Sequence, residues 1–164
     1  MLEYSGVKPL PFDGTVAPIA YVPNWLNAAN FDKKLRYENI AASEFVPAPV
    51  YDPEVFGNTD PLDRIALLSR GTYITPYMGS YRMNFQEYDG SHLGVDIRAP
   101  LGTPVLSIAN GVITKVKDTE NADGKYVIIR HDGIVFQGRP AQSYYSAYLH
   151  LESISVVEGT AIKK

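Results

Sequence analysis

The turn-forming residues change character near residue 71, and this limits what the chain can become. Up to Arg70 there are eight prolines and three glycines; from Gly71 onward there are four prolines and ten glycines. Proline without glycine favours a stiff, extended path. Glycine between apolar runs favours tight turns between strands. The pattern predicts a Pro-rich extended arm over 1–71 and a strand-rich domain over 72–164.

The arm carries large apolar side chains on its stiffened path, as in Pro9-Leu10-Pro11-Phe12 and Val46-Pro47-Ala48-Pro49-Val50-Tyr51. A solvated linker would be rich in Gly and Ser instead. The arm is therefore expected to lie against a surface, with Trp25, Phe31 and Phe45 as anchors. Two short helices are expected within it. One runs from Asp32 to Ala42. The other runs from Pro61 to Arg70, where Asp60 can cap, Pro61 suits the first helical position and Gly71 can terminate. Leu62, Ile65 and Leu68 share one face of that second helix, which suits packing.

The domain reads as an antiparallel all-β fold, with runs of four to eight residues rich in β-branched and aromatic side chains. Val105 to Ile108 and Val112 to Val116 are expected to form a hairpin across Asn110-Gly111. Tyr126 to His131, Ser143 to His150, Ile154 to Val157 and Gly159 to Ile162 are the further strands. A loop with Gly133, Gly138 and Pro140 separates the middle pair.

Composition excludes several functions. The 164 residues are 45% hydrophobic and 20% charged, enough to bury a core. A net charge of -3 argues against a nucleic-acid partner. The absence of cysteine excludes disulfides, thiolate metal ligands and a Cys nucleophile. Apolar runs as short as Ile65-Ala66-Leu67-Leu68 predict no membrane span. Met1-Leu2-Glu3-Tyr4 lacks the regions of a signal peptide, which suits either a cytosolic chain or one whose signal has been removed. There is no phosphate loop and no Gly-x-Ser-x-Gly elbow.

The chemistry therefore rests on three histidines, His92, His131 and His150. In His92-Leu93-Gly94-Val95-Asp96, a His and a carboxylate offer donors that zinc accepts. In a straight strand their α-carbons would stand roughly 13 Å apart, at about 3.3 Å per residue. Gly94 and Pro100 argue against a helix that would bring them together. The pair works only if the chain bends at Gly94; otherwise it is a turn whose Asp satisfies backbone donors. Ser146, Tyr148 and His150 share one face of a regular strand, a more polar face than that of Tyr145, Ala147 and Leu149. It would make a floor for a substrate groove. His131 reads as a strand-end histidine bonded to a turn rather than as a ligand.

The run from Gly90 to Val105, with His92-Leu93-Gly94-Val95-Asp96 at its centre, resembles the first metal motif of the lysostaphin/LytM-type zinc metallopeptidases, peptidoglycan endopeptidases of small antiparallel β fold. The likeness continues through Ala109-Asn110-Gly111-Val112-Ile113, Tyr126 to His131, Tyr148-Leu149-His150-Leu151 and Val157 to Lys164. Met78-Gly79-Ser80-Tyr81-Arg82 is similar to the family's entry segment, with Met in place of Phe. The resemblance implies that His92 and Asp96 are zinc ligands and that His150 is the active-site histidine beside the metal. It implies that His131 is not a ligand. Its implied partners are peptidoglycan peptides, and its implied location is extracytoplasmic.

One departure goes with it. The family's third ligand lies in a later His-x-His motif, and this sequence ends at Lys164 before that segment. Two ligands fall short of the three plus water of a catalytic zinc site, so zinc is expected to bind weakly or not at all. The expectation is a fragment of a zinc endopeptidase, inactive as this chain; the alternative is a degenerate, non-catalytic module that binds cell wall or a partner protein. An unfinished sheet edge, open to self-association, is expected in either case.

Overall fold

A computed structural model describes residues 10–27, 36–50, 72–75, 93–119 and 124–164. Eight strands are described: β1 (Tyr21–Pro23), β2 (Phe45–Pro47), β3 (Tyr73–Thr75), β4 (Asp96–Ile97), β5 (Gly111–Lys117), β6 (Lys125–Ile134), β7 (Gln142–Leu151) and β8 (Ala161–Ile162). All their pairings are antiparallel, and the described residues hold no helix beyond single 3₁₀ turns. The fold is all-β, as the strand-length runs indicate. The chain divides into two compact units. One is Ile19–Thr103; the other joins Met1–Pro18 to Pro104–Lys164. Among the described residues no helix is long and apolar enough to cross a membrane.

In the Ile19–Thr103 unit, β1 pairs with β2, and Tyr21 faces Pro47 while Pro23 faces Phe45. Prolines fit a two-stranded ribbon because each strand has an edge that needs no N–H donor. Ile19, Val22 and Trp25 are buried together, with Ala48, Ile97 and Ala99 packed on them. Trp25 is thus an anchor of this segment, and the Arg98 guanidinium lies 5.5 Å from its ring centroid. Phe45 is half-buried against Tyr37, with ring centroids 4.8 Å apart. Phe31 lies outside the described residues.

The helix expected from Asp32 to Ala42 is not formed in its described part. Tyr37–Asn39 and Ala42–Glu44 are separate 3₁₀ turns, and Ile40 between them is extended. Neither turn has a side-chain cap, and Arg36 is extended where it bridges Leu101. The helix expected from Pro61 to Arg70 lies outside the described residues.

The second unit is a four-stranded sheet in the order β7-β6-β5-β8. Val127, Ile129 and His131 alternate onto its buried face, while Tyr126, Ile128 and Arg130 take the other. Ile113, Val127 and Ile129 form the core, covered by Val116, Tyr148, Leu151, Ile154, Val156 and Ile162. An N-terminal segment straps this unit. Val16 N–H donates to Ile108 O at 2.8 Å, and Leu106 N–H donates to Pro18 O at 2.8 Å.

Three expectations are corrected here. The hairpin across Asn110-Gly111 does not form. Residues 105–108 lie along the strap instead, and Gly111 begins β5 without a positive φ. Ile154 to Val157 is not a strand: Ile154 and Val156 cover the core from a loop, which turns at Gly159 (φ 79°). β6 does not stop at His131. It runs through Asp132-Gly133 by a bulge in which Gly133 takes a φ of 77°.

Candidate active site

The sequence-derived site residues fall on different elements. His92 lies outside the described residues. Asp96 opens β4, is half-buried, and stands opposite Thr75 on β3, next to a bulge between Tyr73 and Thr75. Just before it the chain bends at Gly94, where the metal reading requires a bend, and Leu93 is left 81% exposed. Arg98 N–H donates to Thr72 O at 2.7 Å, which fixes the far end of β4. Partial burial lowers the Arg98 pKa, although an arginine remains charged at any physiological pH.

His150 sits in the other unit, near the end of β7. It has a φ of 57°, and the only other non-glycine in the left-handed region among the described residues is Gln137. The cause is a bulge. Tyr148 pairs with Val127, whereas Leu151 pairs with Lys125, so β7 spends one more residue than β6 over the same stretch. The strict alternation that would set His150 beside Tyr148 is broken there. Gly124 (φ 65°) backs the bulge so closely that a Cβ on it would lie 3.2 Å from His150 Cα and 3.3 Å from His150 Nδ1. The Nδ1 edge of the imidazole therefore faces Gly124.

The polar face expected to form an open groove floor is turned inward. Ser146 and Tyr148 are half-buried, while Tyr145 is 63% and Leu149 46% exposed. The reason is a chain of hydrogen bonds that satisfies the polar atoms inside. His131, 2% exposed, donates from Nδ1 to Asn110 O at 2.9 Å, since a carbonyl only accepts. Its Nε2 is hydrogen-bonded to Ser146 Oγ at 2.8 Å. Ser146 Oγ is in turn 3.1 Å from the Tyr148 hydroxyl, which accepts from Ile108 N–H at 2.7 Å. His131 is thus a mid-strand histidine with both ring nitrogens engaged by protein, not a strand-end residue bonded to a turn.

Asn110 is a junction that sequence reasoning passed over. Its carbonyl holds His131, and its Nδ2 donates to Pro11 O and Asp13 Oδ1, each at 3.0 Å. Its Oδ1 accepts from Lys164 N–H at 3.2 Å, and Lys164 Nζ meets Asp13 Oδ1 at 3.0 Å. No local pattern signals this, because the partners come from both ends of the sequence.

Zinc would need three protein donors. Among the described residues no three His, Asp or Glu side chains form a group able to hold a metal ion. Asp96 supplies one suitable donor, and His92 is of the right chemical type.

The model of peptidase family M23 matches residues 90–164. Residues 90–164 are a LytM-type peptidase domain. The match takes in His92, Asp96, His131 and His150. A peptidoglycan DD-endopeptidase, ShyA, of Vibrio cholerae is 33% identical over 73 residues, 44% of this chain and 15% of ShyA. The DD-carboxypeptidase/endopeptidase Mpg of Neisseria meningitidis is 40% identical over 68 residues, 42% of this chain and 14% of Mpg. An uncharacterized metalloprotease of Buchnera aphidicola is 32% identical over 98 residues, 54% of this chain and 23% of that protein. The chain thus spans about a quarter or less of the length of these relatives. No solved structure matches it.

Proposed function

We propose that the LytM-type domain belongs to a zinc endopeptidase acting on peptide bonds of peptidoglycan outside the cytoplasm, and that these 164 residues alone do not hydrolyse it. The observation that carries the reading is the family match over residues 90–164, which contains every candidate site residue. The substrate class is taken over from relatives named as peptidoglycan DD-endopeptidases. The arm over 1–71 and the peptidase module over 72–164 are part of this proposal, as a division by lineage.

In it, His92 and Asp96 would be the zinc ligands, and His150 would be the active-site histidine. Zinc, when bound, would polarise the scissile carbonyl and acidify water toward a pKa of about 7. The His150 ring faces Gly124 with its Nδ1 edge, which leaves Nε2 as the nitrogen to take the proton of the attacking water or to donate to the oxyanion. His131 takes no part in proton transfer, because its two nitrogens are committed to Asn110 and Ser146.

Zinc titration by calorimetry tests the ligand assignment. Weak binding is expected for the native chain, and its loss in both His92→Ala and Asp96→Ala. Binding unchanged in either variant would remove that residue from the metal site. Peptidoglycan incubated with the chain and zinc is expected to release no soluble peptides. Release that a chelator stops would show that the chain holds a working site.

Self-association through the sheet is the second part of the proposal. β5 is guarded on its outer side, where β8 pairs with Gly111 and Val112 and the Glu158 carboxylate accepts from Val116 N–H at 2.7 Å. Among the described residues β7 is the opposite edge, ten residues long without Lys or Pro, the residues that ordinarily blunt edges. Light scattering is expected to show a dimer at high concentration and a monomer for Ala147→Lys. A native chain that stays monomeric throughout would refute it.

A further inference from the structure

We propose that Tyr148 is a positioning residue for His150: its hydroxyl, held by the Ile108 amide and by Ser146, clamps β7 just before the bulge and so fixes where the imidazole leaves the sheet. The proposal rests on reading His150 as the active-site histidine and adds residues that this reading does not name.

The argument starts from backbone strain. A non-glycine residue with positive φ is uncommon, and such residues persist only where the surroundings over-determine them. His150, at 57°, is the one such residue in β7. Two features bear on it. First, Gly124, itself at a φ of 65°, leaves little room for a side chain, since a Cβ there would lie 3.3 Å from His150 Nδ1. Second, Tyr148 is the last residue of β7 in regular register with β6, opposite Val127.

Tyr148 is fixed by more than packing. Its ring covers the core of Ile113, Val127 and Ile129. Its hydroxyl takes the Ile108 N–H at 2.7 Å and meets Ser146 at 3.1 Å, and Ser146 is tied through His131 to Asn110. The clamp therefore crosses from β7 through β6 to the segment that precedes β5. An apolar ring alone would fill the same space, but it would not tie the last registered residue of β7 to the Ile108 backbone. The hydroxyl gives Tyr148 a fixed position along the strand axis, and the extra residue of the bulge must then fall at Leu149-His150.

The test uses the whole 164-residue chain and needs no catalysis. The chain has three histidines, so the ring signals in an NMR spectrum can be assigned by replacing each with Gln. Tyr148→Phe keeps the ring and removes the hydroxyl. The expected result is a folded amide spectrum in which the His150 ring signals shift toward those of a free histidine or broaden, since the ring is no longer held in one direction. A purely structural Tyr148 would lower the denaturation midpoint and leave the His150 signals of the folded protein where they were, and that outcome would overturn the proposal. If Tyr148→Phe does not fold, Gly124→Ala and Ser146→Ala decide. Gly124→Ala pushes directly on His150 and calibrates a displaced ring. Ser146→Ala is expected to reproduce part of its shift, and a His150 spectrum unmoved in Ser146→Ala also overturns the clamp. Failure of the peptidase reading would appear elsewhere, in zinc titrations of the His92 and Asp96 variants, without altering these ring spectra.

Discussion

Gly111→Ala is expected to lose about 3 kcal/mol of stability, the upper part of what forced overpacking costs. A Cβ at this position would lie 2.4 Å from Arg130 O, 2.7 Å from Ile129 Cγ2 and 2.9 Å from His131 Nδ1. The nearest of these atoms is backbone of β6 and cannot rotate away. Relief requires β5 and β6 to part where their ladder begins, opposite Val112 and Arg130. Moving His131 would also pull at Asn110 and Ser146. Against a total of roughly 5–15 kcal/mol for a typical domain, this is a large fraction. Urea unfolding followed by circular dichroism measures it. Gly138→Ala is the control, because nothing lies within 4 Å of its Cβ site and only the strain of its φ of 73° is at stake. A Gly111→Ala midpoint equal to that of the native chain would mean that the two strands do not approach as described.

Ile113→Ala is expected to cost about 2–5 kcal/mol, the range for truncating a buried aliphatic side chain. Ile113 is 0% exposed and sits among Val127, Ile129, Val116 and Tyr148, with Ile154, Val156 and Ile162 closing the cluster. Its backbone is engaged as well, donating to Thr160 O at 3.0 Å and accepting from Gly159 N–H at 2.8 Å. Collapse around the missing methyl groups is therefore restricted, which places the cost in the middle of the range or above. Leu149→Ala, on the exposed face of β7, is expected to stay within about 0.5 kcal/mol of the native chain. Equal losses for the two variants would mean that the buried and exposed faces of the sheet have been exchanged.

The β-branched runs made the central strands legible. Tyr126 to His131 and Ser143 to His150 both lie within observed strands, β6 and β7, and the family motifs from His92 onward lie in the matched region. Asn110-Gly111 misled because the same dipeptide serves two purposes. Glycine there is needed for the approach of a carbonyl nineteen positions later in the chain, not for a left-handed turn. Strand alternation correctly grouped Ser146 with Tyr148 but assigned the pair to solvent on polarity. It could not foresee that His131 would cross diagonally from its register partner Tyr144 to meet Ser146. Alternation also carried His150 onto the same face, because a one-residue bulge leaves little trace in sequence. A glycine at 124, on the partner strand's approach, was the only local hint.

The Pro18 carbonyl and the Leu106 amide are hydrogen-bonded, so the chain leaves one compact unit and re-enters it at adjoining points. Residues 19–103 are then a guest in sequence only, inserted into a host whose own chain is discontinuous. A host of this kind tolerates growth or loss in its guest, because the entropy of closing the excursion rises only with the logarithm of its length. A change of length in the proline-rich ribbon around Trp25 is therefore expected to leave intact the register of the sheet that carries His150.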